Sequence, residues 1–369
     1  MLYLGVNTGT SADAIDSVFC EITGDGIRII ATDEYKLSVE VRQSILRAVK
    51  DANLTVQDFQ SLKGILTDYF CAAIQQSLRK HAIKSEAIVA CGLHGQTIHH
   101  RPDHPYPYSL QCVDAAKVAH ALGLVVIEDF RAADLALGGQ GAPIIPGFLR
   151  YLLQMKQQKS GLFINLGGIA NMTVIDEDST QGWDIGPANA LMDIWIYHQK
   201  GEDYDHNGDW ARSGNVVPAL LSRWLADPYF SQKPPKSTGR DYFTLEWVQK
   251  SLQGERAEDV QATLLALTIH SITQTIKSIE GRSLQGCYLY GKGVANRFLV
   301  EQLSKALPSS KLLTTMDLGV EPGDVEGGLF AWLAFCYMQK IPTDLTGVTG
   351  ARSKGILGVC HQAKSWAVA

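Results

Sequence analysis

Apolar and polar positions along the chain describe two similar series of elements. Leu2 to Val6 is apolar, Asn7-Thr-Gly-Thr-Ser11 is a cluster of turn formers, and Ile15 to Ile22 resumes strand spacing. A third strand is predicted near Ile27 to Leu37, and helices over Val41 to Lys50 and Val56 to His81. Ala87 to Cys91 reads as a short strand running into Gly92-Leu-His-Gly-Gln-Thr97, followed by a helix near Ala115 to Leu122 and a strand at Leu124 to Ile127. The second half repeats that order. Strands at Leu162 to Leu166 and Ile169 to Ile175 flank Gly167-Gly168, and helical stretches follow around Ala190 to Gln199 and Val260 to Ile279. A strand at Gly286 to Tyr290 then ends in Gly291-Lys-Gly293, and the almost wholly apolar Val325 to Met338 reads as a buried helix. Strands alternating with helices predict α/β layers. The repeat is one of element order, without residue identity, and duplicated α/β domains commonly enclose a ligand-binding cleft. Residues 200–245, rich in Asp, Gly and Pro, are expected to form an irregular insertion near that cleft or the surface.

Composition narrows the function classes. The 369 residues are 46% hydrophobic and 19% charged, with 33 Lys plus Arg against 38 Asp plus Glu and a formal net charge of −5. That is a globular composition of two or three domains, without the basic face that nucleic acid or an anionic membrane surface requires. No apolar stretch is long enough to span a bilayer. Seven scattered cysteines without a CxxC pair, and a start lacking a basic flank and apolar run, give the expectation of a reduced, cytoplasmic chain.

The candidate chemistry lies in the glycine-bearing turns and two carboxylates. Glycines let a backbone approach a ligand closely, and successive amides form an anion nest. The turns Asn7 to Ser11 and Asn165 to Asn171 therefore read either as ordinary hairpin turns or, at matching places in two halves, as a pair of polyphosphate cradles. Neither a P-loop nor a dinucleotide fingerprint is present, since Gly138-Gly-Gln-Gly141 runs into Ala142-Pro143. Asp184 precedes a Gly-Pro pair that opens a helix. It is either a general base or an Asx-turn and cap residue. Glu326 stands before an apolar helix as a second site carboxylate or as a first-turn acid complementing the helix dipole. His94, His99, His100 and His104 have no zinc-ligand spacing. His94 with Gln96 and Thr97 offers hydrogen bonds to a polyhydroxyl ligand, or is a satisfied loop histidine.

Thr8-Gly-Thr-Ser-Ala-Asp13, Gly95-Gln-Thr97, Leu137-Gly-Gly-Gln-Gly-Ala-Pro143, Asn165-Leu-Gly-Gly-Ile-Ala-Asn171, Trp183-Asp-Ile-Gly-Pro-Ala-Asn189 and Pro235-Lys-Ser-Thr-Gly-Arg240 follow in order along the chain. With Ala331-Trp-Leu-Ala334 and Val348-Thr-Gly-Ala351, they resemble the anhydro-N-acetylmuramic acid kinase family over nearly the whole length. The resemblance implies two ribonuclease-H-like domains of the actin/hexokinase type around a central cleft. Their expected limits are 1–131 plus about 343–369, and 132–342 carrying the 200–245 insertion. It implies a kinase using ATP, Mg²⁺ and water to open a 1,6-anhydro ring and phosphorylate the 6-oxygen. The product is N-acetylmuramate 6-phosphate, in peptidoglycan recycling, and the enzyme is expected to be a homodimer.

Carried over by motif, Asp184 is the base and Glu326 the second carboxylate near the sugar. Gly9, Thr10, Ser11, Ala12, Asp13, Ala14, Ile15 and Asp16 form the ATP-binding stretch. Asn165, Gly167 and Gly168 form a second phosphate turn, and Gly291 and Gly293 a second nucleotide loop. Gln96, Thr97, Arg131 and Asn189 are the expected sugar contacts. This chain has Ala14, Ala188 and Lys292 where the family usually has Gly, and Ile185 where it has Thr. A degenerate, non-catalytic sensor of the same fold is the alternative those departures suggest.

Overall fold

The computed structural model describes residues 1–362 apart from Thr10, Asp25, Ala52, Asp178, Glu280, Ser283, Ser309 and Ser310. Two compact units result, one of residues 1–155 and 324–369 and one of residues 156–323. These limits differ from the sequence expectation. Residues 132–155 and 324–342 belong with the first unit, because helix Val325–Gln339 packs on its sheet and helix Ile145–Met155 packs on that helix.

In the first unit, strands β1 (Leu2–Thr8), β2 (Ala14–Thr23) and β3 (Gly26–Lys36) form an antiparallel meander. Strand β4 (Ile88–Leu93) then joins β1 in parallel. The short hairpin of β5 (Gln96–Arg101) and β6 (Tyr108–Cys112) stands outside this sheet, and β7 (Val126–Glu128) pairs in parallel with β4. The sheet order is β3-β2-β1-β4-β7, closed by the edge strand Val359–His361. The β5–β6 hairpin falls where sequence pattern read only a loop, since its strands are half-exposed and the Pro-rich segment between them hides the alternation.

Helix Val325–Gln339 lies against this sheet at backbone contact. A Cβ on Gly5 would collide with the Gly327 carbonyl oxygen, one on Gly92 with that of Phe330, and one on Gly327 with the Val18 side chain. Gly5 and Gly92 thus let sheet and helix meet backbone to backbone, and Gly327 makes room for the Val18 side chain. Eleven of the fifteen helical residues are buried, as the all-round apolar pattern requires.

The second unit repeats the topology. Strands β8 (Gly161–Leu166), β9 (Ile169–Ile175) and β10 (Thr180–Pro187) form an antiparallel meander. Strands β11 (Cys287–Tyr290) and β12 (Leu312–Thr314) continue in parallel beside β8, giving the order β10-β9-β8-β11-β12. Meander first, parallel pair second, is the ribonuclease-H-like arrangement in both units.

Residues 200–245 are more ordered than expected. Short helices at 209–213, 218–225 and 228–231 carry Ala211, Leu220, Trp224 and Tyr229 into the core, where Trp224 stacks on Trp247 at 5.8 Å. Aromatic burial, more than local propensity, organises that stretch.

Candidate active site

In the first unit, the turn after β1 carries most of the expected ATP-binding stretch. The Ala12 amide donates to the Gly9 carbonyl at 3.1 Å, and Ala12 closes the turn at φ +52° with its methyl in the core. Arg42 Nε braces the turn from outside, at 2.8 Å from Asp13 Oδ1 and 3.1 Å from the Ser11 carbonyl. Ile15 is fully buried, so at 12 and 15 the chain can offer a ligand only backbone. A Cβ on Gly9 would meet nothing nearer than Ser11 Oγ at 3.9 Å, which leaves room above this glycine. Ala14 lies buried on β2 and Asp16 faces Asn7 in the register. Thr10 lies outside the described residues.

A chain of polar contacts runs from this turn into the expected sugar contacts. Asn7 Nδ2 donates to Glu326 Oε2 at 3.2 Å, a contact that the glycine-sealed helix makes possible one residue before Gly327. Thr8 Oγ1 donates to Gln96 Oε1 at 3.2 Å, and Thr97 Oγ1 to Gln111 Oε1 at 2.8 Å. Arg131 Nε donates to His94 Nε2 at 2.9 Å, and its Nη1 to the Gly141 carbonyl at 2.8 Å. His94 stacks on Phe330 at 4.6 Å. Burial and then the Arg131 charge hold the imidazole well below its ordinary pKa, so it serves as a neutral acceptor. Burial also lowers the Arg131 pKa, opposed by the Glu326 and Asp134 carboxylates.

Sequence reasoning missed Asp134. It is fully buried and accepts from the Gly141 amide at 2.7 Å and Thr349 Oγ1 at 2.9 Å, fixing the Gly138–Gly141 loop beside Arg131. An acid within the apolar run just upstream of a glycine-rich segment was the available signal.

In the second unit, the turn after β8 gathers most of the residues expected there. Asn189 Nδ2 donates to the carbonyls of Leu166 at 3.0 Å and Gly167 at 2.8 Å. The amides of Ala188 and Ala190 donate to the Gly168 carbonyl at 2.9 and 3.0 Å. Asn189 therefore braces the turn with its amide group. Gly291 packs against Asn165 and Leu166 at φ +91°, and a Cβ on Gly293 would collide with Leu166 O and Asn189 Nδ2. Asn165, Gly167, Gly168, Asn189, Gly291 and Gly293 thus meet at the ends of β8 and β11.

Asp184 lies within β10 itself, at a register irregularity between Asp184 and Gly186 against β9. Neighbouring glycines hid that strand, and a bulge re-aims the side chain. The loop 235–240 is stitched to it. Asp184 donates its amide to the Lys236 carbonyl at 3.0 Å, its Oδ2 accepts from the Thr238 amide at 3.0 Å, and Tyr229 Oη donates to its carbonyl at 2.9 Å. Burial raises the Asp184 pKa, and the Thr238 amide offsets part of that rise. The result is a half-buried carboxylate with raised basicity and one oxygen engaged by backbone, a suitable state for a general base.

Three of the departures from the family pattern lie in the segments just described but turn their side chains into the interior. Ile185 and Ala188 are buried in the second unit's core, and Ala14 is buried in its strand. Lys292 is exposed.

A meander followed by a parallel pair, present twice and ending in paired glycine turns, places the chain in the ribonuclease-H-like, actin/hexokinase-type class. The family model described as anhydro-N-acetylmuramic acid kinase matches residues 1–363, and the chain belongs to that family. It is 38% identical over 366 residues to the anhydro-N-acetylmuramic acid kinase of Coxiella burnetii, covering 97% of each chain. It is 38% identical to that of Pasteurella multocida over 365 residues, covering 98% of this chain and 97% of the relative. With that of Legionella pneumophila it shares 39% identity over 362 residues, 98% of each. Among the described residues no helix is long and apolar enough to cross a membrane.

Proposed function

We propose that the chain is an ATP-dependent kinase that hydrolytically opens 1,6-anhydro-N-acetylmuramic acid and phosphorylates its 6-oxygen, in peptidoglycan recycling. The observation that carries this reading is Asp184: a basic, half-buried carboxylate pinned by the Thr238 amide, in a chain matched along its length by the kinase family. Asp184 takes a proton from a water whose oxygen bonds to the anomeric carbon. The bond from that carbon to the 6-oxygen breaks, and the 6-oxygen bonds to the γ-phosphorus as the bond to the ADP oxygen breaks. One water and one ATP are consumed, and the proton passes from Asp184 to solvent.

The other assignments follow from local chemistry. Gly9 to Asp16 offer backbone to the nucleotide, with open space above Gly9. Asn165, Gly167, Gly168, Gly291 and Gly293 form a braced backbone turn suited to phosphate oxygens, and Asn189 supports that turn. Glu326, Gln96, Thr97 and Arg131 form a polar network suited to a hydroxyl-rich sugar. Among the described residues no cluster of three or more His, Cys, Asp or Glu could cage a metal. Mg²⁺ would arrive on the nucleotide phosphates, with few protein ligands, and would neutralise their charge. The cytoplasm, where ATP and reduced thiols coexist, is the proposed location, and a homodimer the proposed assembly.

The test is incubation with the anhydro sugar, ATP and Mg²⁺ in oxygen-18 water. We expect a 6-phosphorylated sugar carrying the label on its anomeric oxygen. A folded protein that forms no phosphorylated sugar would reject the proposal, and phosphorylation without label would reject ring opening by water.

A further inference from the structure

The loop that pins Asp184 also delivers a cation to the second phosphate turn. A Cβ built on Gly168 would lie 2.9 Å from Arg240 Nη2 and 3.0 Å from its Nε, so the guanidinium lies over the glycine where a side chain would otherwise be. Arg240 is exposed, and among the described residues it has no hydrogen-bond or ion-pair partner. The other cation of the loop is engaged: Lys236 Nζ donates to the Tyr229 carbonyl at 3.1 Å and sits 4.4 Å over the Tyr229 ring. Two residues before Arg240, the Thr238 amide holds Asp184 Oδ2. One short segment therefore ties the carboxylate to a planar, permanently charged fork resting on the glycine turn.

We propose that Arg240 is a catalytic residue that binds the transferring phosphoryl group at the Gly167-Gly168 turn, a role that rests on the kinase reading above. A guanidinium presents parallel N–H donors matched to phosphoryl oxygens and keeps its charge at any working pH. Charge that builds on the leaving phosphate and on the equatorial oxygens of the transferring group falls within reach of that fork. Because the cation and the Thr238 contact share a loop, the same segment aligns the base and the phosphoryl group. Gly168 follows from this arrangement, since any side chain there would displace the guanidinium.

The experiment compares Arg240→Ala and Arg240→Lys with the wild type, in turnover and in binding of ADP with and without fluoroaluminate, a planar phosphoryl mimic. Arg240→Ala should lower kcat about 10²- to 10³-fold, while ADP affinity changes by less than about threefold. The tighter binding that fluoroaluminate gives the wild type should be lost. Arg240→Lys should fall between the two, and added guanidinium ion should restore Arg240→Ala by about tenfold or more. An unchanged melting temperature is expected, because the side chain is exposed and makes no hydrogen bond or ion pair among the described residues. A kcat within threefold of wild type, no guanidinium rescue, or a loss confined to the KM of the carboxylate-bearing sugar would overturn the proposal. Wild type that binds ADP-fluoroaluminate but leaves the anhydro sugar untouched would fault the substrate assignment alone, and the mimic would still decide the role of Arg240.

Discussion

The turn after β1 and the turn after β8 occupy the same place in two copies of one topology, yet they are built by different means. The first is shaped by a buried alanine in left-handed conformation and braced from outside by Arg42, with open space above Gly9. The second is packed shut from behind: Gly291, Gly293 and Asn189 crowd its carbonyls, and Arg240 covers its outer glycine. The contrast separates two uses of glycine. Gly9 keeps space for something the chain does not supply, whereas Gly293 makes space for the chain itself. Duplication conserved the strand order and left each turn free to specialise.

The largest effect should come from removing the base beside the crowded turn. Asp184→Asn keeps an acceptor for the Thr238 amide, so it should lower kcat about 10³-fold and leave nucleotide affinity within about threefold, by steady-state kinetics and calorimetry. It should also stabilise the protein at neutral pH. The carboxyl pKa rises on folding, so the folded state holds that proton more tightly than the unfolded chain. Its contribution to stability is greatest below the unfolded value of about 3.9 and is lost as pH rises through the folded value. Asp184→Asn should therefore melt higher than wild type at pH 7, with the gap closing toward acid. A mutant that melts lower at neutral pH would show that the carboxylate is stabilised by burial partners, contrary to the raised pKa.

Next in size is Gly293→Ala, whose methyl would strike Leu166 O and Asn189 Nδ2. A loss of about 1–3 kcal/mol in denaturant unfolding is expected. The matching change in the open turn, Gly9→Ala, should leave the denaturation midpoint unchanged. It should instead raise the KM for ATP by about tenfold, or about 1.4 kcal/mol. Equal destabilisation by both alanines would erase the distinction between the turns. Smallest of all is Arg42→Ala, which breaks an exposed pair to Asp13 and should cost about 0.5 kcal/mol or less, fading further in high salt.

The strands and long helices were legible because burial leaves a near-continuous apolar run, as in β1 and β2, or an apolar stripe, as in helix Ala257–Lys277. The doubled order of elements was legible for the same reason. What escaped was whatever depends on distant partners. The β5–β6 hairpin shows half-exposed, polar strands. Helices Phe130–Ala136 and Ile145–Met155 flank a glycine- and proline-bearing run that reads as loop. The segment 200–245 folds around Trp224, Tyr229, Phe243 and Trp247, a cluster assembled across the unit. Within the site, Asp184 and the glycines were visible as motifs. The hold of Thr238 on the carboxylate, the seat of Arg240 on Gly168 and the burial of Asp134 were not, since each joins residues remote in sequence. Asn189 was expected on the sugar, whereas its amide nitrogen is spent on the backbone of the turn.

The glycine contacts between Gly5, Gly92 and Gly327 bear on how the chain is made. The opening strand and its neighbour cannot be capped until the helix beginning at Val325 leaves the ribosome, while residues 156–323 emerge as one uninterrupted block. Translation therefore completes the later unit first and leaves the earlier sheet bare on one side during that interval. A nascent polypeptide stalled when residue 323 has just emerged from the ribosome should carry a protease-resistant second unit behind a cleavable first, and a chaperone would find its client surface on the apolar face awaiting that helix.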